Sequence, residues 1–337
     1  MKAILVRQFG GPEVLQQADV PVPVPGPGEV LMRVSRAGVN YADTRQRRGT
    51  YVLQEPLPLV PGFEASGTVA AVGPGCGTQL PGQGPLEVGA EILAGDARNA
   101  YAEFCIVPAD LVLACPEGKS VLSGASFSVS FTVAWLAAIY KGRVRAGQTV
   151  LVHAAAGAVG SAVVQLCALA GARVVATAST PRKLERALEA GASVAINYTD
   201  GDFREQVRGA FKSERPIDLV IDSVGGDVFV KSLDLLGRGG RLVGIGQASD
   251  QPATLDLYRS LIPYHLTVKF LARGSLAGSR HPSDRALLRH AFSSVVEMWG
   301  RDQITVADPV VLPLSEAASA HQMVADRSVV GKIVLEV

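Results

Sequence analysis

Two glycines, Gly157 and Gly160, lie between an apolar run and a helical run in the stretch VLVHAAAGAVGSAVVQLCALAG. A strand that turns through such a loop into a helix presents backbone amides and a helix N-terminus to a pyrophosphate. Gly157 permits close backbone approach, Gly160 lets helix and strand pack tightly, and Ala155 takes the first position, where a wider turn tolerates a methyl group. We therefore predict a dinucleotide-binding loop whose contacts come from Ala156, Gly157, Ala158, Val159 and Gly160.

The strand that follows this loop ends in VVATASTPRK, and no acid stands there. In a site for NADH, an Asp or Glu about 20 residues after the loop binds the ribose hydroxyls. A carboxylate would repel the 2′-phosphate of NADPH, whereas hydroxyl and cationic groups bind it; such groups are offered by Ser179, Thr180, Arg182 and Lys183. The alternative for the basic residues is the charged first turn of a surface helix. The missing acid predicts NADPH over NADH.

Parallel strands must position these residues. From Ser123 onward, long helical patterns alternate with near-continuous apolar runs: TVLVHAA, RVVATAS, SVAINY, DLVIDSV and RLVGIG. Such runs are typical of strands covered by helices on both faces, so we predict a doubly wound parallel sheet over residues 123–264. The segments DSVGG and GIGQAS, the second containing Gly246, follow two of these strands. Ligands bind beyond such strand ends, so both segments are expected to border the nicotinamide, although turn geometry alone would also explain them.

The rest of the chain has a different texture. Residues 1–122 alternate short β-branched runs with Pro and Gly clusters, as expected of a mostly antiparallel β domain. After Tyr264 the sequence becomes mixed and ends in the strand-like GKIVLEV, so we assign residues 265–337 to the first domain. Two domains of α/β class agree with a length of 337 residues.

Composition excludes several classes of function. Lys plus Arg number 32 against 31 Asp plus Glu, so the overall charge recruits neither nucleic acid nor a membrane surface. The cysteines form no Cys-x-x-Cys pair, which disfavours a zinc knuckle or a redox dithiol; they are Cys76, Cys105, Cys115 and Cys167. The N-terminus lacks a secretion signal, and polar residues interrupt the longest apolar runs. We therefore expect a cytoplasmic protein without membrane insertion.

The β-rich first part, the loop VHAAAGAVG and the stretch AGVNYADTRQRRGTY resemble the zinc-independent quinone oxidoreductases of the medium-chain dehydrogenase/reductase superfamily. PLVPGFEASGTVAAVG, YAEFCIVPAD and DRSVVGKIVLEV extend the resemblance over essentially the whole chain. It implies a GroES-like catalytic domain, a Rossmann domain and usually a homodimer or a pair of dimers. Zinc relatives carry a cysteine in place of Asn40 and Gly-His-Glu in place of Gly62-Phe63-Glu64, so we expect no metal.

The resemblance also implies a reaction and its residues. Without a Lewis acid, hydride transfer to a quinone or an α,β-unsaturated carbonyl is favoured, because the developing oxygen anion needs only hydrogen-bond donors and a proton. By similarity, Asn40, Asp43 and Tyr51 line the active cleft. Asn40 would donate to the substrate or cofactor, Asp43 would hold the local loop, and Tyr51 would donate a hydrogen bond. The alternatives are a turn or cap carboxylate for Asp43 and a cleft wall for Tyr51.

Further cofactor contacts follow from the same resemblance. Thr132 would contact the nicotinamide carboxamide, with local packing inside a helix as the alternative. Lys183, Tyr198 and Arg327 match the three residues that hold the 2′-phosphate in the family. His153 is expected to pack behind the glycine loop.

Two other functions stay open on the sequence. One is an enoyl-thioester reductase, which shares the architecture and needs a long acyl groove. The other is a non-catalytic NADPH-binding protein with a structural or RNA-binding role, against which the balanced charge weighs as far as RNA is concerned. The identity of the substrate, the proton donor and the oligomer size are not decided by these patterns.

Overall fold

The computed structural model describes residues 1–53, 55–77, 79, 86–279 and 281–337. Its strands, in chain order, are β1 (Lys2–Leu5), β2 (Gln16–Asp19), β3 (Glu29–Val39), β4 (Ala65–Val72), β5 (Glu91–Ala94), β6 (Phe104–Pro108), β7 (Val112–Ala114), β8 (Thr149–Val152), β9 (Arg173–Ala178), β10 (Val194–Asn197), β11 (Ile217–Asp222), β12 (Leu236–Gly244), β13 (Thr267–Phe270), β14 (Val310–Pro313) and β15 (Ile333–Glu336).

The α-helices of the described residues are α1 (Tyr41–Arg48), α2 (Ser128–Trp135), α3 (Ala158–Leu169), α4 (Pro181–Glu189), α5 (Phe203–Phe211), α6 (Gly226–Leu233), α7 (Leu257–Leu261), α8 (Arg273–Ala277), α9 (Pro282–Gly300) and α10 (Ala317–Ala325). Short 3₁₀ turns and one π-helical segment, Leu136–Lys141, continue or connect them. Among the described residues, none of the helices combines the length and the apolar character that crossing a membrane requires.

The chain forms two compact units. The first unit comprises residues 1–132 and 274–337, and the second comprises residues 133–273. The division predicted from the sequence, at 122/123 and 264/265, therefore lies about ten residues too early at both places. Hydrogen bonds from Ala125 N to Ser66 Oγ and from Val129 N to Glu64 Oε1 tie residues 123–132 to the first unit. At the second place, β13 pairs in parallel with β12 and so belongs to the second unit's sheet.

The first unit is built on a sheet that, in the described residues, has seven strands in the order β14-β15-β3-β4-β5-β7, with β6 paired to β3. Most of its pairs are antiparallel, as predicted; β14 and β15 are parallel. The long strand β3 is the centre of the sheet, because β15, β4 and β6 all pair with it. Its end at Val39 lies opposite Ile333, which places the start of α1 beside the start of β15.

The second unit contains a parallel sheet whose order in the described residues is β10-β9-β8-β11-β12-β13. The predicted doubly wound sheet is confirmed. The chain moves outward from β8 to β9 and β10, returns to the other side of β8 with β11, and then moves outward again. Because parallel crossovers are right-handed, this reversal places the helices on opposite faces and makes the gap between β8 and β11 the topological switch point.

Candidate functional site

The glycine loop lies at this switch point. It leaves β8 at Val152 and enters α3 at Ala158, with Gly157 as the residue before the helix. Ala154 has φ 51°, a left-handed conformation that is uncommon for a residue with a side chain, and its carbonyl accepts from Gly157 N at 3.0 Å. The first amides of α3, from Ala158 and Val159, have no acceptor within the helix, as at every helix start. They are available to an anion in front of the loop.

The two glycines of the loop have different surroundings. A Cβ at Gly160 would overlap the carbonyl oxygen of Ala154 and approach Ala155 Cα to 2.8 Å. A Cβ at Gly157 would meet only Ala154 O, at 3.4 Å, an ordinary contact. Gly160 is therefore required by the packing of α3 on the loop, whereas the space beside Gly157 is open to a ligand. The tight packing predicted for Gly160 is thus present, and the close approach of a ligand at Gly157 stays a prediction.

The predicted 2′-phosphate residues of the second unit lie at the ends of two neighbouring strands. In the β9–β10 register Ala178 is opposite Asn197, so Ser179 and Tyr198 follow the two strands side by side. Thr180 caps α4 by accepting from Lys183 N at 3.4 Å, which places Lys183 in the first turn of that helix. The structure thus brings Ser179, Lys183 and Tyr198 to one edge of the sheet, and no carboxylate follows β9 before Lys183.

The segments after β11 and β12 close the same edge. The Asp222 carboxylate, fully buried, accepts from Val224 N at 2.8 Å and Gly225 N at 3.1 Å, which shapes the turn into α6. Burial raises the pKa of Asp222. Gly246 follows β12 and is exposed; a Cβ there would lie 3.2 Å from Ser223 O. Turn geometry, the alternative explanation for these two segments, is therefore present. Gly246 also lies at the edge of the sheet formed by the carboxyl ends of the strands.

His153 lies behind the glycine loop. Its Nδ1 is 2.9 Å from Thr177 Oγ1, and its Nε2 is 2.8 Å from Ser232 Oγ. Burial lowers the pKa of His153 to about 3. The imidazole is neutral and joins β8 to β9 and α6, which agrees with the packing expected from the sequence.

In the first unit, four hydrogen bonds hold the backbone N–H and the side-chain amide of Asn40. Its backbone N–H donates to Asp43 Oδ2 at 2.8 Å. Its side-chain Nδ2 donates to Gly38 O at 3.3 Å and to Glu64 Oε2 at 3.1 Å, while Oδ1 accepts from Lys332 Nζ at 2.7 Å. Both amide hydrogens are thus engaged, so donation to another oxygen requires the long contact with Gly38 to be exchanged.

Lys332 and Glu64 were not among the site residues predicted from the sequence. In the structure Lys332 Nζ lies 2.6 Å from Glu64 Oε2, and the two side chains are 5% and 0% exposed. The other oxygen of Glu64 accepts from Val129 N, at the start of α2, at 2.8 Å. The only signal in the sequence was that both residues lie in stretches that carry the family resemblance.

Asp43 belongs to a second buried network. Its Oδ2 accepts from Asn40 N and, at 3.0 Å, from Tyr101 Oη, which lies 3.0 Å from His321 Nε2. Burial raises the pKa of Asp43 to about 7 and lowers that of His321 to about 3. A neutral His321 that donates to Tyr101 lets Tyr101 donate to Asp43. Asp43 is fully buried, and its hydrogen bond from Asn40 N caps the start of α1, as in the cap alternative considered from the sequence; a part for Asp43 in the active cleft stays a prediction.

The remaining predicted residues are placed as follows. The Tyr51 ring packs against Phe63 with centroids 5.3 Å apart, and a Cβ at Gly274 would overlap its hydroxyl. Thr132 is fully buried and donates to Ser128 O at 2.5 Å, which is the local packing named as its alternative, and the carboxamide contact stays a prediction. Arg327 follows α10 in the first unit with φ 53°, in a different unit from Lys183 and Tyr198.

The residues present do not fit a zinc ion. Asn40 and Phe63 stand where the resemblance implies ligands in zinc-dependent proteins, and the ammonium group of Lys332 already lies between Asn40 and Glu64. A second cation in that place would be repelled by the first at low dielectric. Within the described residues, no group of three or more His, Cys, Asp or Glu side chains is arranged to hold a metal.

Two known protein families match this chain, one in each of its two parts. A family described as "Alcohol dehydrogenase GroES-like domain" matches residues 26–117, and one described as "Zinc-binding dehydrogenase" matches residues 158–293. Together the two matches cover most of the chain, and they agree with a β-rich domain joined to a Rossmann sheet.

Individual relatives match this chain over nearly its full length. The quinone oxidoreductase of Sus scrofa is 31% identical, covering 99% of this chain and 97% of the relative. A mycobacterial structure in complex with NADPH has a TM-score of 0.90 and 33% identity, with 100% of both chains covered. The Escherichia coli quinone oxidoreductase, also in complex with NADPH, has a TM-score of 0.88 and 26% identity over 100% of both chains. The chain therefore belongs to the quinone oxidoreductase family of the medium-chain dehydrogenase/reductase superfamily.

Proposed function

We propose that this protein is an NADPH-dependent reductase that transfers hydride to a quinone or an α,β-unsaturated carbonyl without a metal ion. The observation that carries the proposal is the sheet edge at the switch point: a glycine loop suited to a pyrophosphate, next to Ser179, Lys183 and Tyr198, with no carboxylate between β9 and Lys183. Membership of the quinone oxidoreductase family and the NADPH bound to two similar proteins support it.

In this proposal the second unit holds most of the cofactor. The amides of Ala156–Gly160 and the start of α3 bind the pyrophosphate. Ser179, Lys183 and Tyr198 bind the 2′-phosphate, and Arg327 remains a predicted fourth partner for it. Gly246 borders the nicotinamide half. The open space beside Gly157 and the basic and hydroxyl groups after β9 fit these parts of the cofactor.

The chemistry divides between cofactor and protein. The nicotinamide of NADPH supplies a hydride when bound, and a quinone takes that hydride and one proton to become a hydroquinone. Asn40 stabilises the developing oxygen anion by exchanging its 3.3 Å contact with Gly38 for a hydrogen bond to that oxygen. Tyr51 supplies a phenol beside Phe63 or forms the wall of the site. Asp43 positions Asn40 through its backbone N–H.

We further propose a cytoplasmic homodimer. In the part of the chain that the structure describes, β13 is the last strand of the second unit's sheet, so its outer backbone groups have no strand partner there. Large apolar side chains are exposed on this strand and on the segment before it: Leu257, Tyr258, Ile262 and Phe270. Pairing of two copies at this edge would bury both features. All four cysteines are free, as expected in a reducing compartment.

The test is rapid mixing of the protein with NADPH or NADH and one acceptor: 1,4-benzoquinone, a simple enone or crotonyl-CoA. The proposal expects fast oxidation of NADPH by the quinone or the enone. Turnover confined to crotonyl-CoA would replace it with an enoyl-thioester reductase. Tight NADPH binding without any turnover would replace it with a binding or structural role. A Phe270→Glu variant that sediments as a monomer while the parent is a dimer would support the edge-strand interface.

A further inference from the structure

Lys332, Asn40 and Glu64 come together because of strand register. Lys332 precedes β15, Asn40 follows β3, and Glu64 precedes β4. Both β15 and β4 run antiparallel to β3, with Ile333 opposite Val39 and Ala65 opposite Ala37. The starts of the two outer strands therefore meet the end of the central one, and the three side chains share one corner of the sheet.

The two charged groups determine which way the Asn40 amide points. Nδ2 faces the carboxylate oxygen of Glu64 at 3.1 Å, and Oδ1 faces the ammonium group of Lys332 at 2.7 Å. A flipped amide would set its NH₂ group against the ammonium and its oxygen against the carboxylate, and neither pair forms a hydrogen bond. Since Lys332 and Glu64 are almost fully buried, water screens this preference little.

We propose that Lys332 is a positioning residue for the reduction: its ammonium group holds Asn40 Oδ1 and thereby aims the Asn40 amide N–H at the substrate oxygen. The inference rests on the proposed function, in which Asn40 donates to that oxygen. The positive charge of Lys332 also lies one hydrogen bond away from the Asn40 amide, where it favours negative charge on a neighbouring substrate oxygen. Lys332 acts through Asn40 and is not itself required to touch the substrate.

A purely structural ion pair would behave differently on substitution. Removing one member of a buried pair leaves an uncompensated charge and destabilises the fold, whereas replacing both by uncharged residues of similar shape is often neutral for stability. The informative variant is therefore Lys332→Met combined with Glu64→Gln. Met keeps the length of the lysine stem, and Gln keeps an oxygen for Val129 N, which Glu64 accepts from at 2.8 Å.

The experiment is a cycle of four proteins: the parent, Asn40→Ala, Lys332→Met/Glu64→Gln, and the triple variant. For each we would measure kcat with NADPH and 1,4-benzoquinone, Kd for NADPH and Tm. We expect kcat to fall about tenfold or more in Asn40→Ala and in Lys332→Met/Glu64→Gln. In Lys332→Met/Glu64→Gln the Kd for NADPH and the Tm should stay unchanged. The triple variant should lose no more than about another twofold, because both changes remove the same interaction. Lys2→Met, which breaks an exposed ion pair with Asp19, is the matched lysine control.

Three results would overturn the proposal. The first is a wild-type kcat in Lys332→Met/Glu64→Gln. The second is multiplication of the two losses, to about a hundredfold, in the triple variant, which would mean independent action. The third is a loss of kcat that tracks a loss of Tm and NADPH binding, which would mean a structural role.

A readout without turnover separates this inference from the proposed function. The side-chain ¹⁵N–¹H signals of Asn40 are identified by their absence in Asn40→Ala. In the parent they should be resolved and exchange slowly with water, and in Lys332→Met/Glu64→Gln they should exchange faster. If the parent reduces none of the acceptors, the proposed function fails, while unchanged Asn40 signals in the variant would refute the role of Lys332 on their own.

Discussion

Asp43 is predicted to make the first unit less stable as the pH rises from 4 to 7. Its carboxyl group is fully buried and accepts from Asn40 N and Tyr101 Oη. Burial raises its pKa from 3.8 to about 7, although these hydrogen bonds and the charge of Lys332 oppose the rise. Between the two pKa values the folded state keeps a proton that the unfolded chain has lost. Folding is therefore favoured at low pH, and this contribution disappears as the pH passes the folded-state pKa.

The size of this change in the free energy of unfolding follows from the two pKa values of Asp43. A rise from 3.8 to about 7 corresponds to about 4 kcal/mol in total, at about 1.4 kcal/mol per pKa unit. Between pH 4.5 and pH 7.5, integration of the proton-binding difference gives a loss of about 3 kcal/mol in the free energy of unfolding. An Asn at this position keeps an oxygen for Asn40 N and Tyr101 Oη but has no proton to lose. Asp43→Asn therefore removes this pH dependence.

The assay is urea unfolding of the parent and of Asp43→Asn at both pH values, both carrying Trp135→Phe. The remaining tryptophan, Trp299, is buried in the first unit with its ring centroid 4.6 Å from that of Phe127, so its emission reports on this unit. Every other titrating group is common to both proteins and cancels in their difference. From pH 4.5 to 7.5 that difference should change by about 3 kcal/mol in favour of the Asn variant.

Asp19→Asn is the control for this experiment. Asp19 is exposed, and hydrogen bonding to Lys2 lowers its pKa, so its small effect should have the opposite sign. A difference between parent and Asp43→Asn that stays constant from pH 4.5 to 7.5 would show that the buried carboxyl group titrates normally, and the reasoning from burial would be refuted.

Three further changes test the site. Gly160→Ala places a Cβ against Ala154 O, so it should cost about 1–3 kcal/mol of stability in thermal unfolding. It should also weaken NADPH binding in a fluorescence titration. Wild-type values for both quantities would contradict the packing argument. Lys183→Ala should weaken NADPH binding about 10- to 100-fold, because one charge-assisted hydrogen bond is lost, and should leave NADH binding unchanged. Equal losses for both would refute the 2′-phosphate assignment. Prolonged dialysis against a chelator should leave quinone reduction unchanged, and activity restored by added zinc would contradict the metal-free site.

Much of the fold was accessible from the sequence because its signals are local. The glycine loop, the preceding strand and the following helix lie within one short stretch, so their residue types alone predict strand, turn and helix. Near-continuous apolar runs likewise predicted the parallel sheet that β8–β13 form. The domain boundary was less accessible: β13 has only four residues and is assigned by its pairing with β12, which its own composition does not reveal.

The chemical character of the predicted cofactor edge was thus determined by the sequence itself: a glycine loop, no acid between the second strand and Lys183, and basic and hydroxyl groups in its place. Only the tertiary structure decided the state of the polar residues in the first unit. Lys332 reaches Glu64 across 268 positions and Asn40 across 292, and Tyr101 joins Asp43 to a distant His321. Partners and burial set both the orientation of an amide and the pKa of a carboxyl group. Both arise from packing between distant segments, so no local pattern encodes them.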